Sequence, residues 1–234
     1  MLFQTPLIPA KLIRRYKRFL ADIILEDGSE VTAHCPNPGS MLGLCETGSS
    51  IWVEPNFNPR KKLNFGWRLV DNENGYYVGI DTSLANKIIQ EALFDNQIAG
   101  LEIYDSFRPE VKYGTGSRVD FLLSKMGHKD TYLEIKSVTL MREQGLAEFP
   151  DSPTVRGLKH LYELAKVVDL GHLAVMLFLV QRSDCTEFQI ARDIDPAYAE
   201  GFDYALKKGV KILCLSCQLS PYTIDVDKEV PIKI

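Results

Sequence analysis

The first 80 residues alternate between short apolar runs and turn-forming residues. Alternating or apolar runs flank Asp27-Gly28 in RFLADIILEDGSEVTAHC, and Asn74-Gly75 lies inside WRLVDNENGYYVGI. Asx-Gly dipeptides between such runs are typical of β-hairpin turns. About five short strands with little helix predict a small β-barrel or sandwich over residues 1–80.

Beyond residue 80 the hydrophobic period becomes that of a helix. Apolar residues recur at helical spacing from Leu84 to Leu93, and Asp81 or Thr82 can cap this helix. A domain boundary near residue 80 follows, and the second domain covers residues 81–234.

The second domain reads as early strands followed by alternating helices and strands. In chain order the predicted elements are strands RPEVKYG, SRVDFLL and YLEIKSVTL, helix VRGLKHLYELAKVV, strands HLAVMLFLV and TEFQIA, helix PAYAEGFDYALKKG and strand KILCLSCQL. Ser152 and Pro153 predict the cap and first turn of the long helix. The run LAVMLFLV is too short to span a bilayer and suits a strand buried on both faces. The order predicts an α+β or α/β fold with a mixed β-sheet flanked by helices.

Composition narrows the class of protein. The 234 residues are 45% hydrophobic with a net charge of −4, which predicts a soluble globular chain and excludes both disorder and a uniformly basic nucleic-acid binder. Any polyanion must therefore be met by local basic patches. Five cysteines without disulfide-framework spacing, and no recognisable signal peptide, predict a reducing cytoplasm. Cys214 and Cys217 read as thiols turned to opposite faces of a strand rather than as a metal site.

Charged residues interrupt the neighbouring strands SRVDFLL and YLEIKSVTL. Side-chain alternation puts Glu134 and Lys136 on one side of their strand. Val119 and Phe121 share the face opposite Asp120. If SKMGHKDT is the hairpin connection, strand pairing brings Asp120 beside Glu134.

Such a cluster suits metal-dependent phosphodiester hydrolysis. Two adjacent carboxylates need a counter-charge when ionised, and a hard divalent cation such as Mg²⁺ or Mn²⁺ supplies one. Asp120 and Glu134 would hold the metal, while Lys136 would orient the nucleophile or neutralise the phosphorus centre. The alternative is a solvent-facing strand that pairs Glu with Lys. Apolar flanking residues favour burial, where charge requires a reason.

Further residues are candidates for the same site. Glu91 is either an additional metal ligand or an exposed helix glutamate, and Glu110 with Arg118 either lines the pocket or forms a surface ion pair. On the long helix a buried stripe is predicted at Leu158, Leu161, Ala165 and Val168. The opposite face of the helix then carries Arg156, Lys159, His160 and Glu163, and this polar face could contact phosphates.

The first domain interleaves basic and aromatic residues in KLIRRYKRF and NFNPRKKLNFGWR. This pattern suits single-stranded or distorted nucleic acid, because phosphates need cations and bases need stacking surfaces. Aromatics at strand spacing equally fit a core. The predicted nucleic-acid contacts are Arg14, Arg15, Lys17, Arg18, Arg60, Lys61, Lys62 and Trp67, with Arg118, Arg156, Lys159 and His160 from the second domain.

Two resemblances support this interpretation. Asp120 followed by Glu134-x-Lys136 resembles the PD-(D/E)XK nuclease superfamily. RRYKRFLADI, HCPNPGSMLGL, VGIDTSLANKIIQEAL, GSRVDFLL, YLEIKSVTL, FPDSPTVRGLKHLYEL and CQLSPYTI, in this order, are similar to the sugar fermentation stimulation protein A family. That resemblance implies an N-terminal OB-fold, a restriction-endonuclease-like domain, DNA binding and a regulatory link to bacterial sugar, particularly maltose, utilisation. Pro38 and Ser40 depart from the residues more usual in that family, so the resemblance implies no role for their loop.

The sequence thus predicts a metal-dependent nuclease that acts on DNA, or on RNA, without choosing between single strands and duplex. A non-catalytic DNA-binding transcriptional regulator that retains the fold is the alternative, and an interaction scaffold is a third possibility. No membrane partner is expected.

Overall fold

A closed five-stranded barrel forms the first part of the computed structural model, which describes residues 1–72, 74–114 and 116–233. Its five strands are β1 Ile8–Tyr16, β2 Leu20–Leu25, β3 Glu30–His34, β4 Ser50–Pro55 and β5 Phe65–Asp71. A sixth strand, β6 Tyr77–Gly79, pairs with β5. The sheet order is β3-β2-β1-β4-β5-β6, and a parallel bridge between His34 and Gly66 closes β3 onto β5. Antiparallel pairing of β2 with β3 and of β5 with β6 confirms both predicted hairpins.

The barrel interior is packed by alternate residues of these strands. Ile23, Val53 and Trp67 are fully buried within it. The Trp67 indole donates its Nε1–H to the carbonyl oxygen of Leu69 at 2.9 Å. A fully buried ring cannot stack on a nucleic-acid base, so the predicted contact through Trp67 is wrong and its core alternative holds.

A mixed sheet with helices on both faces forms the second part. Its elements are α1 Ala85–Phe94, β7 Ser106–Tyr113, β8 Ser117–Ser124, β9 Thr131–Val138, β10 Leu140–Glu143, β11 Leu146–Phe149, α2 Val155–Asp169, β12 Leu173–Val180, β13 Glu187–Ile190, α3 Pro196–Lys207, β14 Lys211–Leu219, β15 Ile224–Glu229 and β16 Ile232–Lys233. The main sheet has the order β15-β14-β12-β9-β8-β7, with β9, β12 and β14 parallel. A second sheet, β10-β11-β13-β16, was not predicted.

The central strand β12 is buried on both faces, as its apolar run predicts. Leu177 packs under α1, whereas Met176 packs under α2 and α3. Cys214 and Cys217 likewise belong to opposite faces, which confirms that their sulfurs point apart. Among the described ranges, no helix has both the length and the apolar character needed to cross a bilayer.

Helix α2 has its N-cap two residues later than predicted and is rotated relative to its prediction. Thr154, not Ser152, caps it, because the Thr154 side chain accepts from the Gly157 backbone N–H at 3.0 Å. His160 and Glu163 are buried against the sheet, although both were expected on the polar face. The prediction placed both residues at the surface because they are polar, but polar side chains can be buried where the fold supplies hydrogen-bond partners.

Strand β8 also departs from simple alternation. Phe121 packs on the α1 side, but Val119 packs on the α2 side with Leu122, so Val119 and Phe121 do not share a face. The irregularity coincides with Glu110 of β7, which stands opposite Asp120 and has a left-handed backbone with a φ of 54°.

Candidate metal and nucleic-acid site

A cleft of about 740 Å³ lies between the barrel and the main sheet. Arg18 and the loop 37–39 line it from the barrel side. Asp120, Glu134 and Lys136 line it from β8 and β9. The three residues that the sequence singled out therefore share one cavity.

The β8–β9 hairpin produces this convergence. Antiparallel pairing runs from Leu123 opposite Thr131 to Phe121 opposite Leu133. Continuing the register by one residue sets Asp120 opposite Glu134, and cross-strand neighbours project to the same face. This confirms the prediction that the hairpin brings the two carboxylates together.

Glu134 is the most enclosed member of the cluster, with 2% of its surface exposed. Its Oε1 accepts hydrogen bonds from Lys136 Nζ at 2.6 Å and from His160 Nδ1. Burial acts to raise the pKa of Glu134, but the positive charge of Lys136 and the hydrogen bond from His160 outweigh it and hold the pKa below its usual value. Glu134 therefore lies in the cleft as a carboxylate.

The other oxygen of Glu134 is the unusual feature. Among the described residues, Oε2 is buried and has no hydrogen-bond partner. A buried carboxylate oxygen without a partner is costly in a folded protein and calls for a physical explanation. A bound cation would supply the missing contact.

Asp120 is held by one side-chain and one backbone donor. Asn86 Nδ2 donates to Oδ1 at 2.8 Å, and the Ile135 backbone N–H donates to Oδ2 at 2.7 Å. Burial raises the pKa of Asp120, and the negative charge of Glu134 adds to this effect. The ionised form of Asp120 is thus disfavoured in the cleft unless a further positive charge lies nearby.

His160 positions this cluster from α2. It is 4% exposed, and its Nε2 accepts a hydrogen bond from Arg156 Nε at 3.4 Å while Nδ1 faces Glu134. This arrangement requires a proton on Nδ1, because that nitrogen donates to the carboxylate. The predicted contact of His160 with phosphate is therefore replaced by a contact with Glu134. Neither His160 nor Asn86 could be assigned to Glu134 or Asp120 from sequence, since both contacts depend on helix docking.

Glu91 does not take the place that the sequence suggested. Its carboxylate lies 3.0 Å from the amino group of Met1, outside the residues that line the cleft. At 3.6 residues per turn, Glu91 and Asn86 lie about 140° apart around α1, so the helix turns Glu91 away when Asn86 faces Asp120. The prediction of Glu91 as a metal ligand is wrong.

The remaining acidic and basic candidates of the second domain divide between cleft and surface. Glu110 and Arg156 line the cleft. Arg118 is exposed, and its guanidinium lies 3.8 Å from Glu110. Glu110 therefore both lines the cleft and forms the surface ion pair. Lys159 is exposed and lies 3.7 Å from Glu163 on the same helix.

Basic residues of the first strand have different roles. Arg14 donates to Asp22 at 2.8 Å. Arg15 donates to backbone oxygens of the loop after β3, including Asn37 at 2.8 Å. Lys17 and Arg18 are exposed at the β1–β2 turn, and Arg18 reaches the cleft.

The other predicted basic contacts lie elsewhere. Arg60, Lys61 and Lys62 are exposed on the loop between β4 and β5, and Lys61 and Lys62 line a separate recess of the barrel. The structure therefore distributes the predicted basic residues over more than one surface.

The loop around Gly39 docks the barrel onto the second part. The Met41 N–H donates to Asp151 Oδ2 at 3.2 Å, and Ser40 Oγ donates to the Asp151 carbonyl at 2.8 Å. A Cβ on Gly39 would overlap the Asp151 carboxylate, so glycine permits this close approach. The loop that carries Pro38 and Ser40 thus has a structural role at the rim of the cleft.

The residues present fit an oxygen-preferring divalent cation. Asp120 and Glu134 supply hard oxygen donors, and Glu134 Oε2 lacks another partner. Over the described residues, no group of three His, Cys, Asp or Glu side chains is assembled around one point. Two carboxylates with water or substrate oxygens match the way Mg²⁺ is usually bound.

Comparison with known proteins follows the two-part architecture. Residues 13–80 match the family model "SfsA N-terminal OB domain", and residues 83–223 match "Sugar fermentation stimulation protein RE domain". Sugar fermentation stimulation protein homologs from Ruegeria pomeroyi and Roseobacter denitrificans are 60% and 57% identical. These matches cover 97% and 100% of this chain, and 98% and 100% of the relatives. A solved structure of Pyrococcus furiosus SfsA in complex with Ca²⁺ superposes with a TM-score of 0.90 and 27% identity, covering 100% of this chain and 98% of that one.

Proposed function

The chain belongs to the sugar fermentation stimulation protein family, and we propose that its cleft hydrolyses phosphodiester bonds in DNA with the help of Mg²⁺ or Mn²⁺. The observation that carries this proposal is the pairing of half-buried Asp120 with buried Glu134, with Lys136 beside them and Glu134 Oε2 unpartnered. The Ca²⁺ complex of the Pyrococcus furiosus relative supports divalent binding at this fold. Five free cysteines support a reducing, cytoplasmic setting.

Asp120 and Glu134 would hold the cation at the floor of the cleft. A bound Mg²⁺ or Mn²⁺ would acidify a water molecule and stabilise negative charge on the phosphoryl oxygens. Because burial and the charge of Glu134 raise the pKa of Asp120, this carboxyl group gains most from a nearby positive charge. The apo protein thus has a site whose electrostatics favour cation uptake.

Lys136 and His160 have complementary roles in this proposal. Lys136 Nζ bonds to Glu134 Oε1 at 2.6 Å, and 14% of its side chain remains exposed to the cleft. Its ammonium group can orient a water molecule or neutralise charge on the phosphate. His160 and Lys136 both contact Oε1, which leaves Oε2 without a hydrogen-bond partner among the described residues and able to bind a cation.

Cleavage assays with the full chain test this function. Single- and double-stranded DNA and RNA are incubated with Mg²⁺, with Mn²⁺ or with EDTA. Asp120→Asn and Glu134→Gln should each abolish metal-dependent cleavage, whereas Glu200→Gln, on the exposed surface of α3, should leave it intact. Cleavage that persists in both cleft variants would remove the assignment.

A DNA-binding regulator without catalysis is the second candidate. It is favoured by the exposed cations of the β1–β2 turn, Lys17 and Arg18, of which Arg18 lines the cleft. It predicts binding that needs no metal, weakens steeply with salt and leads to no cleavage. The same DNA samples, followed by fluorescence anisotropy and by gel, separate the two functions.

A further inference from the structure

A second recess, of about 430 Å³, lies on the barrel beneath the loop that joins β4 to β5. Phe57, on this loop, is 83% exposed, and Phe65 lines the recess beside it. Lys61 and Lys62 complete its outer edge. An aromatic ring this exposed gains nothing from the barrel core and remains available to a ligand.

Aromatic surface continues from this recess toward the cleft. His34 lines the recess, and its ring stacks on Phe19 with centroids 6.5 Å apart and an interplanar angle of 19°. Phe19 is 46% exposed, and the preceding residue, Arg18, lines the cleft. Phe57, Phe65, His34 and Phe19 therefore form a platform that leads to Arg18.

The charge along this platform is positive. Glu54 is the acidic residue that lines the recess, but it is 7% exposed and is already satisfied. It accepts from the Gln4 backbone N–H at 2.7 Å and from Arg68 Nε at 2.8 Å. Neither Lys61 nor Lys62 forms an ion pair within the described residues, so both lysines remain available to an anion.

We propose that the platform binds single-stranded nucleic acid and delivers it past Arg18 into the cleft, an inference that rests on the proposed function and names its substrate class. Unpaired bases expose faces that can stack on Phe57 and Phe19, whereas bases of a duplex are already stacked and paired. Lys61 and Lys62 contact the phosphates between them. The strand thus crosses from the barrel to Asp120 and Glu134.

Binding in EDTA tests the platform without requiring catalysis. Fluorescence anisotropy compares a labelled oligodeoxythymidine of about 15 nucleotides with a duplex of the same length, within the range that one OB-fold covers. Phe57→Ala should weaken binding of the single strand by about 5- to 150-fold, as loss of one stacked base predicts. Combined Lys61→Ala and Lys62→Ala should lower the salt slope by about 1.4, or about 0.7 for each lysine.

Matched controls are exposed residues away from the platform. Tyr222→Ala removes an aromatic ring that is 74% exposed, and Lys125→Ala removes an exposed lysine. Both should bind as the unmodified chain does. Melting temperatures of all variants should agree, because every altered side chain is exposed.

The outcomes separate this inference from the proposed hydrolysis. Loss of single-strand binding in Phe57→Ala, with no cleavage by the unmodified chain, supports the platform and removes the hydrolysis. Cleavage by the unmodified chain, with single-strand binding unchanged in Phe57→Ala, overturns the platform. Equal losses for duplex and single strand also overturn it, because stacking on Phe57 requires an unpaired base.

Discussion

Replacing Lys136 with methionine tests the electrostatic organisation of the cleft. The substitution keeps the length of the side chain and removes its ammonium group. In the native chain Lys136 Nζ donates to Glu134 Oε1 at 2.6 Å, with side-chain exposures of 14% for Lys136 and 3% for Glu134. The variant leaves the buried carboxylate to the hydrogen bond from His160.

The expected loss of stability is large for a single substitution. Removing one partner of a buried ion pair costs about 3–5 kcal/mol, and the partial exposure of Lys136 favours the lower end, about 3 kcal/mol. In a protein of this size, about 1 kcal/mol shifts the melting temperature by about 2–4 °C. The melting temperature of Lys136→Met should therefore fall by about 6–12 °C.

The loss should depend on pH with a defined sign. In the native chain the pKa of Glu134 is held below its usual value. Ionised Glu134 therefore stabilises the folded state at pH values above its usual pKa, and this contribution is lost as the pH falls through the lowered pKa of the folded state. Without Lys136, burial and the remaining charge of Asp120 act to raise the pKa of Glu134, and protonation then relieves the penalty. The difference between the two proteins should be largest at about pH 7 and shrink below about pH 4.

Differential scanning calorimetry in EDTA, at both pH values, measures this difference. Lys125→Met, which alters an exposed lysine, should have the same melting temperature as the native chain. Added Mg²⁺ should recover part of the loss in Lys136→Met, because a bound cation stabilises the folded state by mass action. A melting temperature for Lys136→Met indistinguishable from that of Lys125→Met at about pH 7 would refute the reasoning.

Three further predictions follow from the same contacts. His160→Asn should weaken Mn²⁺ binding, measured by calorimetric titration, by about 10- to 100-fold, as loss of a group that orients a ligand predicts; unchanged affinity would remove its positioning role. Gly39→Ala should destabilise the chain by about 1–3 kcal/mol in denaturant unfolding, because its Cβ overlaps Asp151, and Asp151→Ala should relieve part of that loss; additive effects would contradict the contact. Asp193, whose pKa is lowered to about 2 by hydrogen bonding to Arg142, should titrate near that value by NMR and near its ordinary value in Arg142→Met; an equally low pKa in the variant would exclude Arg142 as the cause.

The sequence predicted the parts of the site that depend on local rules. Apolar residues on both sides of Asp120 and Glu134 identified β8 and β9, and the short connection between them fixed antiparallel pairing. The proximity of the two carboxylates follows from that register. The turn dipeptides of the barrel were equally local, so both hairpins were predicted correctly.

The errors concern side chains whose environment is set by distant segments. His160 and Trp67 have both polar and apolar parts, so either a buried or an exposed position satisfies local patterning. Tertiary contacts decided both, since His160 meets Glu134 and Trp67 bonds within the barrel. The strands β10, β11 and β16 have two to four residues each, too few to establish a periodic pattern, so the sheet that they form with the predicted strand β13 was missed.

The place where β8 and β9 stop pairing explains how the sheet tolerates Asp120. Ladder pairing ends at Phe121 and Leu133, and the next backbone donor, the N–H of Ile135, bonds to Asp120 Oδ2 at 2.7 Å. The carboxylate thus replaces a backbone acceptor while its charge faces the cleft. An apolar replacement would leave the N–H of Ile135 without an acceptor, at a cost of about 1–3 kcal/mol. Asp120→Asn keeps an acceptor oxygen for the Ile135 N–H and removes the charge, and its new amide NH2 can donate to the side-chain oxygen of Asn86 once that amide turns over. Loss of activity in that variant, with the fold retained, therefore isolates the chemical role of Asp120 from its structural one.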